Sequence, residues 1–514
     1  MIGTMIKRLI FLSLTLLFTA SCSRLSMPVE GVLGGKGFLS WLSPRFSASE
    51  TLVVPRPQEA WWEAFESTEL NQLVEQALNE NFDLRSALAR LAQARAQMII
   101  EGSAQFPAID VTGGVGVDGP SGGPGTSEDL SAWDARNLWQ FGVLLNYEVN
   151  LWGRDEFSSE AAYNRALASE FEREALTLSL TSEVVRTYFE VLALTERVQV
   201  AEQNLAAVSI IERGLQARLQ QGDATLLDVT QQRILLNNVS AQVDAIEIQR
   251  YRAQSRLASL IGKPPGGLRL SSNSVTAVNV PLVDAGLPSD LLCRRPDIKR
   301  AEATLLSAQF DLQAARANLL PSFSLSASTG LGSFELSNLL SPESIFINGT
   351  ADLVQNVFDG GRREAEVALA SARETEFLNV YANTVLTSLL EVEGALVSLQ
   401  LNSKQYNSMS DASDFAAQLS EYSVELLERG GIDYLRLFEI QRTVLETQDL
   451  TVIARYNQIT STINLIKAIG GGLNAGSSNE CVGEKVLPLP TAAWSQAAGH
   501  GTTAPTLRPQ RVSY

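Results

Sequence analysis

The 514-residue sequence holds one histidine, His500, and it lies in a tail rich in Pro, Ala and Gly. That excludes a histidine-based catalytic or metal site from the folded part. Cysteine is nearly as scarce: Cys22, Cys293 and Cys481 are too few and too scattered for a metal cluster or a disulfide framework. Cations are in deficit, with 40 Lys and Arg against 57 Asp and Glu, a formal charge of −17. Such a balance argues against nucleic acid as a partner. Aromatics make up 7% and prolines number 18, which suits long helices better than several compact domains. No nucleophile, base and orienting residue converge, so an enzyme is the remotest reading, and no cofactor is implied. Gly114-Val-Gly116-Val-Asp-Gly119 fits a dinucleotide pattern, but it sits inside strand alternation with no helix after it.

Proline is absent from Glu156 to Gln221, and the sequence there predicts one very long helix. Val198, Ala201, Leu205, Val208, Ile211, Leu215 and Leu219 recur at a mean step of 3.5, the seam of a left-handed coiled coil. From Ser158 to Gln221 such a helix is about 96 Å long. A glycine tip at Gly222 ends it, and a second helix returns to Ile261. A compact domain has no use for that length, whereas a tube crossing a wide gap does.

The plan then repeats. A helix from Arg362 to Glu428 meets a second tip at Gly430–Gly431, and its return helix sets Phe438, Leu445, Val452, Ile459 and Ile466 seven apart. The tips lie 208 residues apart, as do Gly153 and Gly361, while Asp83 and Asp297 lie 214 apart, as do Pro107 and Pro321. Two copies of one unit with a six-residue indel between them account for these offsets.

Each copy also carries a strand pair. Ile109, Val111, Val115 and Val117 alternate with polar or glycine positions, and so do Trp139, Phe141, Val143, Leu145, Tyr147 and Val149. In the second copy Phe323, Leu325, Ala327, Thr329 and Leu331 alternate with serines, and a weaker run follows from Phe346 to Phe358. Runs of this length suit tilted bilayer-crossing strands. Four strands cannot close a barrel, and open edges cannot face lipid. Two chains would fill the interior with side chains, whereas three would leave a pore.

The remaining segments complete the map. Residues 1–21 read as a signal peptide, with Lys7 and Arg8 before the apolar run Leu9 to Phe18. Thr19-Ala20-Ser21-Cys22 resembles a bacterial lipoprotein cleavage box, which would make Cys22 the acylated first residue; the absence of Asp after it resembles outer-membrane sorting. Residues 22–60 read as a lipidated tether, 61–262 as the first repeat and 263–295 as a linker packed outside the helical tube. Residues 296–472 form the second repeat and 473–514 a disordered tail. The opening helix of the first repeat is expected to run unbroken from Thr68 to Gln105.

Over residues 61 to 472 the chain resembles a known family. Trp61-Trp62, Leu78-Asn79-Glu80-Asn81-Phe82-Asp83-Leu84, Leu287-Pro288-Ser289-Asp290-Leu291-Leu292 with Arg294-Arg295-Pro296-Asp297-Ile298, Tyr434-Leu435 with Gln441-Arg442, and Lys467-Ala468-Ile469-Gly470-Gly471-Gly472 carry the likeness. This is the TolC-like outer membrane efflux protein family, in its OprM/NodT-type lipoprotein branch. The resemblance implies a mainly α protein with membrane β: a homotrimer, a 12-stranded outer-membrane β-barrel and a long periplasmic α-helical barrel. It further implies a periplasmic adaptor (membrane fusion) protein and an inner-membrane RND transporter as partners, exporting small molecules or drugs. A type I protein-secretion outlet shares the fold and stays open as an alternative; a non-channel coiled-coil adaptor is the reading from another class.

Closure is expected where helices converge. By resemblance Leu435 and Glu439 form a hydrophobic and an acidic ring, near Asp433 and Arg442; at the first tip Asp228 and Arg233 are comparably placed, with Gly222, Gly430 and Gly431 as hinges. The family's tyrosine before the second tip is replaced by Leu427.

Overall fold

The computed structural model describes residues 60–118 and 136–471, apart from 267, 269, 273, 282 and 284–293. The signal peptide, Cys22, nearly all of the tether, the loop after Asp118, Leu287 to Leu292 and the tail lie outside the described residues, as does the side chain of Leu435.

After a short 3-10 turn, Trp61–Phe65, helix α1 spans Thr68–Glu80. Ser67 caps it by accepting from the Leu70 N–H, and Leu70, Leu73, Val74 and Ala77 form its buried stripe. The expected unbroken opening helix is in fact two, for α2 starts afresh at Phe82 and runs to Ser103. The break is Asn81, whose backbone is extended (ψ 129°). Its side-chain oxygen accepts from the N–H groups of Asp83 and Leu84, the local bonding that lets asparagine interrupt a helix.

Strands β1 (Ala108–Asp118) and β2 (Arg136–Glu148) follow, then the long helix α3, Arg154–Gln221. Its 68 residues reach about 102 Å. The return helix α4 runs Leu226–Leu260, α5 Pro296–Ala317, β3 Ser322–Ser333 and β4 Ile345–Val354. Strand β4 stops four residues short of the expected run, because Asn356 and Asp359 turn the chain by accepting from Phe358, Gly361 and Arg362 N–H groups. Helices α6 (Arg362–Glu428) and α7 (Tyr434–Ala468) close the second copy.

The four strands form one antiparallel sheet in the order β1-β2-β3-β4, so the hairpins of the two copies join at β2 and β3, with Phe141 opposite Leu331. On the sheet side of the helix breaks, neighbours stand in the order α2, α3, α5, α6; on the tip side the order is α4, α3, α7, α6. Both layers are strips rather than closed bundles. The coiled-coil seam is real: Val198, Ala201, Val208 and Leu215 are buried along α3, and Val452, Ile459 and Ile466 along α7. Helix α6 contains a stretch apolar enough to pass for a bilayer span. Its packing against α5 at one level and α7 at the other assigns it to the helical wall instead. There it leaves Leu390, Leu401, Phe415 and Tyr422 exposed along the strip's edge.

The linker packs on one face of these strips. Val275 and Val283 are buried in the main core, Glu69 on α1 accepts from the Ser271 and Ser272 N–H groups, and Glu196 on α3 accepts from those of Val275 and Thr276.

Candidate functional site

Three places on this strip carry the chemistry of a conduit. In the sheet, the pleat sorts residues into two faces. One face sets Val111, Val143, Phe141, Ile347 and Leu353 outward, all exposed. The other is polar: Ser326 lies between Asn146 and Thr350, and its hydroxyl donates to the Asn146 side-chain oxygen at 3.1 Å. Ser324 sits opposite Glu148 and Asp352 on its two sides. Among the described residues β1 and β4 each pair on one side only. A sheet with an apolar outer face, a hydroxyl-lined inner face and two open edges is a segment of barrel wall, completed by further copies.

The second place is the level where the helices break, and it occurs twice. At the first junction α4 ends against the start of α2: the Asn81 amide donates to the Leu260 carbonyl at 3.0 Å. At the second, α7 ends against α5, and Arg295 donates to the Ala468 carbonyl at 2.9 Å. Arg295 is buried and also pairs with Asp297 at 2.6 Å and Glu391 at 2.7 Å, tying α5, α6 and α7 together. Burial alone would raise the Asp297 pKa. The Arg295 hydrogen bond and charge outweigh it and hold the carboxyl below its ordinary value.

The third place is the pair of tips, closed in the same way. At the first, Gly222 takes φ +83° while its N–H reaches the Leu219 carbonyl and that of Asp223 the Arg218 carbonyl. At the second, Gly430 takes φ +74°, and the N–H groups of Gly430 and Gly431 reach Leu427 and Leu426. These are Schellman closures, with glycine in the left-handed conformation that side chains resist. Gly431 does not share that conformation; a Cβ there would stand 3.2 Å from Leu426 instead.

The expected tip residues fall into different jobs. Asp228 closes a capping box with Thr225, accepting from its hydroxyl at 2.6 Å and its N–H at 2.9 Å; these bonds, the hydroxyl first, hold its pKa below the ordinary value. Arg233 pairs with the buried Glu212 at 2.9 Å. At the second tip Asp433 caps α7 by accepting from Arg436 N–H, and Arg436 pairs with Glu439 at 2.9 Å on the exposed surface. Arg442 is exposed one turn further on. The register of 208 makes Arg436, not an acid, the counterpart of Asp228, and sets the exposed Leu227 opposite Leu435. The repeat offset already contained both equivalences. Glu212 had no such signal, because a lone acid in a heptad reads as a solvated position.

The model of the outer membrane efflux protein family matches residues 73–263 and 287–471. The chain belongs to the outer membrane efflux protein family. The pyoverdine export outer membrane protein OpmQ of Pseudomonas aeruginosa is 34% identical over 80% of this chain and 87% of its own length. Its namesake from Pseudomonas putida is 33% identical over 91% and 97%. The cation efflux system protein CusC of Escherichia coli K12 is 26% identical over 81% and 89%. Among solved structures, the outer-membrane channel OprN superposes with a TM-score of 0.79 at 27% identity, covering 84% of this chain and 97% of that one. This efflux protein is therefore a TolC-like outer-membrane channel subunit: its sheet is the membrane wall and its helices are the periplasmic one. Family and relatives are transport proteins rather than enzymes.

Proposed function

We infer that the protein is the outer-membrane outlet of a tripartite RND-type efflux system, exporting small molecules. The single observation that carries this is the open strip. Two unpaired strand edges stand above two unpaired helix edges in a chain of the efflux family, so the conduit exists only as an assembly. Three copies give twelve strands and an open bore. A periplasmic adaptor and an inner-membrane transporter complete the path at the tips, and acylation of Cys22 anchors the mature chain in the outer membrane. The repeat boundaries, 61–262 and 296–472 about a linker of 263–295, describe one wall segment built twice.

The relatives favour a small-molecule cargo over a protein, since OpmQ is named for pyoverdine export and the solvent efflux protein SrpC of Pseudomonas putida, 29% identical, for solvents. The gate belongs at the tips, where three copies of Leu435 and Glu439 converge, with Asp433, Arg442, Asp228 and Arg233 beside them and Gly222, Gly430 and Gly431 fixing the loops. Three carboxylates brought together repel, and a docked adaptor relieves that repulsion. Purified mature protein should run at trimer mass, conduct ions in a planar bilayer and capture its adaptor. Replacing Leu435 and Glu439 by Ala should raise the closed-state conductance. A monomer without ion permeation would overturn the channel reading; unchanged conductance in the variant would overturn the gate alone.

A further inference from the structure

Just below the helix breaks, α3, α4 and α7 enclose a cleft of about 450 Å³. Three arginines line it, in a chain whose formal charge is −17. Two are committed: Arg197 grips Asp449 with both ends of its fork, at 2.6 and 3.0 Å, and Arg256 meets Glu190 at 3.0 Å. The third, Arg252, is exposed, and among the described residues no carboxylate pairs with it. Neutral donors complete the lining: the amides of Gln249 and Asn457 and the hydroxyl of Tyr456. Burial, then the charge of Glu190, raise the Tyr456 pKa, so that hydroxyl keeps its proton.

The cleft opens away from the linker. Glu196 and Arg455 hold the linker backbone at Thr276 and Val278. Of the lining residues, Leu194, Ile453 and Asn457 lie two residues from one of these, about 200° round their helices, and Arg197 and Tyr456 lie one residue away, about 100° round, so the cleft opens on a different face from the one the linker covers. A segment as long as the linker belongs on the outer wall of a hoop, so the cleft faces the bore.

We propose that this cleft is a cargo-binding station for carboxylate groups, in which Arg252 supplies the unpaired charge while Gln249, Asn457 and Tyr456 donate hydrogen bonds. It rests on the efflux reading and names the class of compound that passes. Arginine suits the role because its planar fork matches a carboxylate. The paired arginines keep their charge occupied and hold the walls apart, so the one cleft arginine left unpaired among the described residues selects without trapping. In a trimer three such stations ring the bore at one level.

The test uses the full-length trimer in detergent, with carboxyfluorescein as anionic probe and rhodamine 6G as cationic probe, read by fluorescence anisotropy. Arg252→Glu should weaken carboxyfluorescein binding about tenfold or more, the loss of one charge-assisted contact. Rhodamine 6G should not weaken, and Arg252→Lys, which keeps the charge but not the fork, should recover part of the lost affinity. In a KCl gradient the reversal potential of Arg252→Glu should shift toward cation preference. Equal carboxyfluorescein affinity in wild type and Arg252→Glu would overturn the station, as would parallel loss of both dyes. If the trimer conducts yet shows either result, the cleft assignment alone fails; if no ion permeates, the channel reading itself falls.

Discussion

The two helix junctions are the same structure built with different chemistry. Asn81 and Arg295 occupy equivalent positions, 214 residues apart, and each donates to a carbonyl of the helix ending beside it, Leu260 in one copy and Ala468 in the other. Gly262 and Gly470, both at positive φ, finish those helices against Glu80 and Arg294. The difference lies in what else the donor reaches. Asn81 is neutral and spends its oxygen capping α2. Arg295 holds Asp297 and Glu391 as well. Glu391 has a counterpart on α3, Glu183, but that acid pairs with Arg186 on its own helix. The two joints thus share a backbone arrangement and differ in electrostatics: the second locks a neighbouring helix, and the first does not. The second joint is therefore the more heavily tied of the two.

The sharpest way to break this comparison is Arg295→Met. It leaves a buried carbonyl without its donor and two acids without their cation, and should cost about 3 kcal/mol, discounted because Glu391 is half exposed. The measurement is the melting temperature of the trimer. A loss no larger than that of Asn81→Ala would remove the claimed asymmetry.

Next come the glycines that finish the returning helices. A Cβ on Gly262 would stand 2.8 Å from the Glu80 carbonyl oxygen, and one on Gly470 would stand 3.1 Å from Arg294 backbone atoms. Both positions also demand the left-handed backbone. Gly262→Ala and Gly470→Ala should each cost about 2 kcal/mol, the former more because its contact is tighter. Asn81→Ala follows at about 1 kcal/mol, chiefly the lost cap of α2.

How much of this was legible beforehand follows from the physics of each signal. Periodicity fixes long elements, so α3, α6 and the four strands were readable within a few residues. The break at Asn81 was not, because the residues on both sides favour helix, and a lone asparagine in such a run does not show that its oxygen will cap a new helix while its amide finds Leu260. The repeat offset located both tips and both junctions, yet it says nothing of which side chain finds which partner. For that reason Asp228, expected beside a gate, sits in a capping box, while Arg295, noted only as part of a family motif, holds three helices. The side-chain roles at the tips depend on neighbouring copies, which no single-chain pattern encodes.

Acid should act on one joint and not on the other. The folded-state pKa of Asp297 is depressed, so its contribution is complete above the ordinary value of 3.8 and is lost as pH falls through the lower folded value. Lowering the pH from 7 to 3 should therefore narrow the gap in melting temperature between wild type and Arg295→Met. The gap between wild type and Asn81→Ala should hold, because no charge enters that joint. Equal narrowing in both would deny that the difference is electrostatic.

The smallest expected effect is also the most direct construction. If Glu183 is kept from the first joint only by Arg186, then Arg186→Ala releases it, and Asn81→Arg in the same chain supplies the missing cation. The double variant forfeits the Asn81 cap of about 1 kcal/mol and a half-buried (i,i+3) pair of a few tenths, together with the Arg186 contact to Tyr456. It regains a bridge from α2 to α3 built like the one from α5 to α6. The two terms nearly cancel, so the double variant should melt within about 1 kcal/mol of wild type and above Asn81→Arg alone. A double variant no better than Asn81→Arg would mean that the backbones of the two joints, and not merely their side chains, have diverged.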